Sequence, residues 1–113
     1  MFFGKKSNVE RITMAETERV LASGENVALV DVRESEEYAT GAIPGAVNLP
    51  LQELMMGSTA GLPAKDKKIF VYCHSGRRSR SAAALLSKMG YEDVVDIGGI
   101  YMWKGEIETP KLS

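Results

Sequence analysis

Cysteine and histidine are scarce in this sequence: its 113 residues include one of each, Cys73 and His74. Without a second cysteine the chain cannot form an internal disulfide bond, and a cysteine-rich zinc site is excluded as well. A lone thiol is more often a buried, inert side chain than a reactive one. The count alone therefore favours a structural role for Cys73, and only the residues around it can indicate a reactive thiol.

The sequence also lacks an excess of charge of one sign and any long apolar run. The formal net charge of −1 predicts no nucleic-acid binding and no general attraction to acidic membranes, so any anion must bind at a local site. No apolar stretch approaches the roughly 20 residues that a membrane-spanning helix needs. The segment Met1 to Lys6 lacks the apolar run of a signal peptide, so we expect a cytoplasmic protein unless a leader has been removed.

Short apolar runs alternate with helical patterns along the chain. Strands are predicted at 27–32, 46–48, 69–72 and 94–97. One helix is predicted to begin at a capping box formed by Thr13 and Glu16, and others are predicted at 35–39, at 51–56 and between Ser79 and Gly90. This alternation predicts an α/β fold in which helices flank a parallel β-sheet on both faces. With no repeat or linker in the sequence, residues 1–113 are predicted to form a single domain.

A polar loop follows the clearest predicted strand, Ile69 to Tyr72. It reads CHSGRRS over residues 73–79, and a helix is expected within about six residues of the cysteine. Ligands of open α/β sheets bind at the carboxyl ends of strands, where backbone amides and the positive end of a helix attract anions. Gly76 permits a positive φ if the turn requires one, and Ser79 is the candidate N-cap of the helix.

This setting favours a reactive thiol over a structural one. The backbone amides, the helix dipole and the guanidinium groups of Arg77 and Arg78 would all stabilise the thiolate of Cys73. A thiolate is the nucleophile for acyl, phosphoryl and sulfur transfer alike, so these residues alone leave the class of reaction open.

Four segments, in order, resemble the rhodanese family. Residues 73–79 match that family's pattern Cys-x-x-Gly-x-Arg-Ser. Residues 29–33, LVDVR, resemble its Asp-x-Arg element, together with the following Glu36, Glu37 and Tyr38. Residues 41–50, GAIPGAVNLP, resemble its Gly-His-Ile-Pro-Gly-Ala-x-Asn-Ile-Pro segment, with Ala42 in place of the histidine. Residues 98–103, GGIYMW, resemble its closing Gly-Gly-x-x-x-Trp. The resemblance covers about residues 9–110 and implies a rhodanese-like fold for that core.

The resemblance also implies a function, that of a sulfurtransferase of the thiosulfate:cyanide type. Cys73 would take the outer sulfur of a small donor anion such as thiosulfate as a persulfide and pass it to a thiol or a sulfur-carrier protein. The substrate would be bound by the loop residues His74, Ser75, Gly76, Arg77, Arg78 and Ser79. No metal and no organic cofactor is expected.

Two other functions are compatible with a cysteine loop of this kind. Dual-specificity phosphatases of the cell-division-cycle type share the fold, but they have five residues between cysteine and arginine, whereas four separate Cys73 from Arg78. A persulfide carrier or binding module with little turnover is excluded by no residue, because a family indicates a capacity rather than a physiological role.

Several residues of these motifs are expected to support the site. Asp31 and Arg33 are predicted to form an ion pair that holds the neighbouring loop, and Trp103 to be a core aromatic residue. Arg78 is expected to hold the anionic substrate or to order the loop, and Arg77, at a variable position of the motif, to matter less. His74 is expected to line the mouth of the site rather than to act as a base.

Overall fold

A parallel five-stranded sheet organises the computed structural model, which describes residues 9–110. Residues 1–6, in which the sequence predicts no signal peptide, lie outside the described residues. The elements in chain order are β1 (Val9–Arg11), α1 (Met14–Ala22), β2 (Ala28–Asp31), α2 (Ser35–Thr40), β3 (Val47–Asn48), α3 (Leu51–Met55), β4 (Lys68–Cys73), α4 (Arg77–Lys88), β5 (Asp93–Gly99) and a 3-10 turn (Ile100–Met102).

The strands lie in the order β1-β5-β4-β2-β3, and every neighbouring pair is parallel. The α/β class predicted from the alternation of strands and helices is confirmed. Strand β1 was not predicted, because Val9-Glu10-Arg11 is too short and too polar for a local pattern. It forms through pairing of Val9 with Val94 of β5, a partner 85 residues away in the chain (94 − 9).

The central strand β4 shows why helices cover both faces of the sheet. Successive side chains of a strand point to opposite faces. Ile69, Val71 and Cys73 lie in one buried cluster with residues of α3 and α4. Phe70 and Tyr72 lie in a second cluster with residues of α1 and with Tyr38 of α2. Both faces of β4 are therefore buried, as its unbroken apolar sequence predicts.

The capping box predicted at the start of α1 is present. The Thr13 hydroxyl accepts a hydrogen bond from the Glu16 amide (3.0 Å), and the Glu16 carboxylate accepts one from the Thr13 amide (2.9 Å). These bonds satisfy two amides at the free end of the helix, and a cap of this type contributes about 1 kcal/mol to stability. The start of α1 is thus determined locally.

An irregularity in β5 adjusts the edge of the sheet that carries the cysteine. Val71 pairs with Asp96, but the next residue, Tyr72, pairs with Gly98, so that Ile97 is an extra residue in β5. Bulges of this kind redirect side chains and are frequent beside active sites. Here the bulge brings Gly99 opposite Cys73.

None of the helices within residues 9–110 is both long and apolar enough to cross a membrane.

Candidate active site

Cys73 is the last residue of β4 and stands at a reversal in the chain's path through the sheet. From β2 the chain moves outward through α2 to β3, whereas from β4 it moves the other way through α4 to β5. The two connections diverge between the carboxyl ends of β2 and β4. In open α/β sheets, ligands bind in the crevice at such a point.

The loop after Cys73 turns back sharply over the sulfur. Gly76, the N-cap of α4, has a φ of 101°, which glycine adopts without strain. Its amide donates a hydrogen bond to Cys73 Sγ at 3.0 Å. Cys73 itself is only 1% exposed and belongs to the same buried cluster as Val71 and Ala82. The thiol therefore lies beneath the polar loop, at the boundary between the core and the sheet edge.

Ser79 does not cap α4, so the N-cap predicted from the sequence is wrong. The helix begins at Arg77, earlier than expected, and Ser79 lies within its first turn. The Ser79 hydroxyl donates a hydrogen bond to Asp96 Oδ1 (2.8 Å), which also accepts one from the Gly98 amide (3.0 Å). Both side chains are buried. Ser79 therefore fastens α4 to the bulged end of β5, beneath the loop.

Arg78 is held by a carboxylate that the sequence did not assign to the site. Its guanidinium group donates to both oxygens of Glu37, from Nη1 at 2.6 Å and from Nη2 at 3.0 Å. The two residues lie on α4 and α2, which cover opposite faces of the sheet. The ion pair thus bridges the crevice beside Cys73. Glu37 follows the Asp-x-Arg element closely, but no local pattern indicates that it pairs with Arg78.

This pairing determines the ionisation of Glu37. The hydrogen bond from Arg78, which outweighs the opposing effect of partial burial, lowers the pKa of Glu37 to about 2. The pair is also about one-third exposed, with side-chain exposures of 33% for Arg78 and 36% for Glu37. Water screens a pair of this kind, so its contribution to stability is about 1 kcal/mol or less.

The lowered pKa of Glu37 predicts a dependence of stability on acid. Because the folded pKa lies below the ordinary 4.5, the stabilisation is fully present above pH 4.5 and is lost as the pH falls toward 2. Glu37→Gln should therefore be less stable than the wild type at neutral pH, and the difference should shrink between pH 4.5 and 2. Urea unfolding of both proteins between pH 4.5 and 2 measures this difference in the free energy of unfolding. A difference that stays constant down to the lowest pH would contradict the assigned ionisation.

Asp31 and Arg33 form the ion pair predicted at the end of β2. Arg33 Nη2 lies 2.8 Å from Asp31 Oδ2, both side chains are almost fully buried, and Arg33 Nη2 also donates to the Gly41 carbonyl at 2.7 Å. Burial opposes the charge of Arg33, but the hydrogen bond and charge of Asp31 outweigh it and raise the Arg33 pKa. The pair holds the segment that begins at Gly41, as expected, and is a structural feature of the crevice.

His74 and Tyr101 lie together on the outer side of the loop. Both are exposed, their ring centroids are 6.2 Å apart, and the Tyr101 amide donates to the His74 carbonyl at 3.3 Å. Within residues 9–110, no carboxylate orients the His74 ring. The structure thus places His74 at the surface of the loop. Trp103, predicted to be a core residue, is only half-buried, and its Nε1 donates to the Glu106 carbonyl (2.8 Å).

Gly99 forms the surface against which the loop packs. A Cβ atom at this position would collide with the His74 carbonyl oxygen and would lie 2.6 Å from Ser75 Cα. Both are backbone atoms, which cannot move aside without moving the loop. Only a residue without a side chain allows β5 to approach the loop this closely.

The remaining loop residues, Ser75 and Arg77, are exposed. Arg77 lines a cleft between β1, β5 and α4, together with Ser75 and Gly76. Among the described residues, no group of three histidine, cysteine, aspartate or glutamate side chains is placed to bind a metal ion.

These features define a class of protein: a parallel α/β domain with a single cysteine, beneath a short glycine-arginine loop, at the carboxyl edge of the sheet. Residues 13–106 match the model of the rhodanese-like domain. The chain belongs to the rhodanese-like domain family, as its four motifs predict.

Relatives of the chain carry names that refer to sulfur transfer. It is 39% identical over 83 residues to the thiosulfate sulfurtransferase PspE of Escherichia coli, a match that covers 74% of this chain and 76% of PspE. It is 35% identical over 103 residues to YrkF of Bacillus subtilis, whose name proposes a sulfur carrier; the match covers 90% of this chain but 55% of YrkF.

A solved structure agrees with the fold and the family. The crystal structure of a rhodanese-like domain protein from Staphylococcus aureus superimposes with a TM-score of 0.78 at 30% identity, over 90% of this chain and 99% of that one. Together with the named relatives, this similarity supports rhodanese-type sulfur transfer as the class of function.

Proposed function

We propose that this protein transfers a sulfane sulfur from a small donor anion such as thiosulfate to a thiophilic acceptor, through a persulfide on Cys73. One observation carries the proposal. The only thiol of the chain lies at the crevice of the sheet and accepts a hydrogen bond from the Gly76 amide, within the loop Cys-x-x-Gly-x-Arg-Ser. No other described residue offers a comparable nucleophile at this edge.

The reaction has two steps that balance without a metal or an organic cofactor. In the first, the Cys73 thiolate attacks the outer sulfur of thiosulfate, the sulfur–sulfur bond of the donor breaks, and sulfite leaves with the bonding electrons. Cys73 then carries a persulfide. In the second, an acceptor such as cyanide or a thiolate attacks the outer sulfur of the persulfide, and the Cys73 thiolate is released.

The loop suits these steps because both forms of Cys73, the thiolate and the persulfide anion, carry negative charge on sulfur. The Gly76 amide and the N-terminal end of α4 face Cys73 and stabilise a thiolate or a persulfide anion. In this proposal the loop from His74 to Arg78 binds the donor through its backbone amides and Arg78, and Ser79 supports the loop by holding α4 against β5. The acceptor in the cell is a thiol or a sulfur-carrier protein. We place the reaction in the cytoplasm, because a reducing compartment preserves a free thiol.

Mass spectrometry of the intact protein tests the proposal directly. After treatment with thiosulfate the wild type should gain the mass of one sulfur atom, and a reductant or cyanide should remove it.

The same preparation should hydrolyse no aryl phosphate, because the interval between Cys73 and Arg78 is one residue shorter than in the phosphatases that share the fold. Phosphatase activity without any gain of sulfur would refute the proposal. Stable loading with negligible turnover by cyanide or thiols would indicate a carrier instead.

Two variants separate the roles that the sequence left open for Arg78. Arg78→Ala should lower thiosulfate turnover by about ten- to a hundredfold, the effect of losing one charge-assisted hydrogen bond near the reacting sulfur. If Arg78 acts by bridging α4 to α2, then Glu37→Gln should be impaired too, mainly in kcat. If its charge acts on the donor, Glu37→Gln should instead lower KM, because the guanidinium group is freed.

Steady-state kinetics of both variants, with Arg77→Ala for comparison, measures these effects. Arg77 has no partner in the crevice, so its replacement should matter less. An Arg77→Ala variant that is much more damaged than Arg78→Ala would show that the two arginines have been assigned the wrong way round.

A further inference from the structure

A second cleft lies on the far side of the loop from the Glu37–Arg78 pair, between β1, β5 and the start of α4. Its volume is about 560 Å³, and it continues past Val9 and Ala84 along α4 into a groove of about 350 Å³. We name it the arginine cleft after Arg11, Arg77 and Arg80, the three arginines that line it. It extends along the edge strand of the sheet, so its shape suits an extended segment better than a single small ion.

The arginine cleft carries positive charge that the described residues do not neutralise. Asp96 is its one carboxylate; Arg11 Nε lies 3.8 Å from Asp96 Oδ2, while Asp96 Oδ1 already accepts two hydrogen bonds. Arg77 and Arg80 are exposed, and no carboxylate among residues 9–110 lies within ion-pair distance of either. Because the whole chain has a net charge of −1, this positive surface is a local feature.

The position of the cleft separates it from the sulfur chemistry and yet keeps it close. Ser75 and Gly76 form part of its lining, and the Gly76 amide also donates a hydrogen bond to Cys73 Sγ. Cys73 itself does not line the cleft, so a group bound there is not in contact with the reacting sulfur. A larger molecule anchored there would still lie directly beside the mouth of the loop.

We propose that the arginine cleft binds an acidic segment of the thiol protein that accepts the sulfur. This inference rests on the proposed function and adds the chemistry by which the acceptor is recognised. Carboxylates of the partner would pair with Arg11, Arg77 and Arg80, and its thiol would reach the persulfide over the loop. Charge complementarity of this kind accelerates encounter and selects partners more than it tightens the complex.

A binding experiment without sulfur chemistry tests the cleft itself. The probe is a fluorescent peptide of glutamates ending in Gly-Gly-Cys, titrated with the Cys73→Ser protein at low salt and followed by anisotropy. Replacing both Arg11 and Arg80 by glutamine should weaken binding by about three- to tenfold, and high salt should do the same. The matched control Arg19→Gln, an exposed arginine on α1, should change binding less than about twofold.

The same peptide then tests transfer. Persulfidated wild type should pass its sulfur to the glutamate peptide faster than to a glutamine peptide with the same ending, and the Arg11→Gln/Arg80→Gln variant should lose this preference. Equal binding of the two peptides, or tighter binding of an oligothymidylate, would overturn the inference even if Cys73 accepts sulfur. If instead no persulfide forms, the proposed function fails, while binding of the glutamate peptide by Cys73→Ser would still establish the cleft.

Discussion

Replacement of Cys73 by serine should abolish turnover of thiosulfate and cyanide, lowering the rate by about a thousandfold or more. A serine hydroxyl can accept the hydrogen bond that the Gly76 amide now donates to Sγ at 3.0 Å, so the loop has no reason to rearrange. The hydroxyl is not ionised at neutral pH and cannot hold a sulfane sulfur. The fold should therefore persist while the chemistry is lost.

The absence of other cysteines makes this test unambiguous. Cys73 is the only thiol in the chain, so any sulfur gained by the wild type and not by the variant must be bound there. Circular dichroism and thermal unfolding serve as the check that Cys73→Ser is folded. Turnover close to that of the wild type in a folded Cys73→Ser protein would refute the mechanism, since no second thiol could replace the first.

Introducing a single methyl group at Gly99 should have the next largest effect. The Cβ atom of Gly99→Ala would collide with the His74 carbonyl oxygen and would lie 2.6 Å from Ser75 Cα and 2.8 Å from Ser75 C. The backbone at Gly99 has a φ of −112°, which alanine adopts freely, so the collision is the only penalty. Relief requires the loop to move away from β5, and a displacement of about 1 Å at a reacting group can cost about a hundredfold in rate.

The cost in stability should be smaller than the cost in activity. Overpacking by one methyl group destabilises a protein by about 1–3 kcal/mol, which a folded domain tolerates. Gly57→Ala is the matched control: Gly57 has a φ of 98° and nothing within 4 Å of its would-be Cβ, so alanine there is strained but touches nothing. It should lose stability and keep its kcat. If Gly99→Ala keeps the thiosulfate turnover of the wild type, the loop does not depend on its contact with Gly99.

Gly76 and Gly99 differ in whether the neighbouring sequence explains why a glycine is needed. Gly76 was identified from the sequence because a tight turn after a strand needs a residue that tolerates positive φ. For Gly99 the sequence predicts only a place in a closing motif and in a turn, whereas in the structure Gly99 is the last residue of β5 and has extended backbone. Its requirement arises from the approach of two backbones, between β5 and the loop after β4. No pattern within a few residues of Gly99 contains that information.

The same distinction applies to Ser79. A serine before a helical pattern is a sound N-cap candidate, because its hydroxyl can accept a hydrogen bond from a free amide. In the structure Gly76 already turns the chain, so α4 begins at Arg77 and Ser79 falls inside the first turn. Its hydroxyl then donates a hydrogen bond to a buried carboxylate, Asp96, which lies two residues after Val94 and therefore on the face of β5 that α4 covers.

The sequence by itself determined the features that arise from residues close together in the chain. The capping box of α1, the apolar run of β4 and the polar loop after Cys73 each involve residues a few positions apart, so propensity and spacing define them. The order of the four motifs was sufficient to predict the family, which the match over residues 13–106 confirms.

Only the tertiary structure decided which distant groups meet at the cysteine. Glu37 and Arg78 are 41 positions apart, and they pair because β2 and β4 are neighbours whose following helices leave by opposite faces of the sheet. The burial of Cys73 and the gathering of Arg11 with Arg77 and Arg80 follow in the same way from the order of the strands. Hydrogen bonds and ion pairs act over a few ångströms of space, and in this fold the sheet, not the chain, sets those distances.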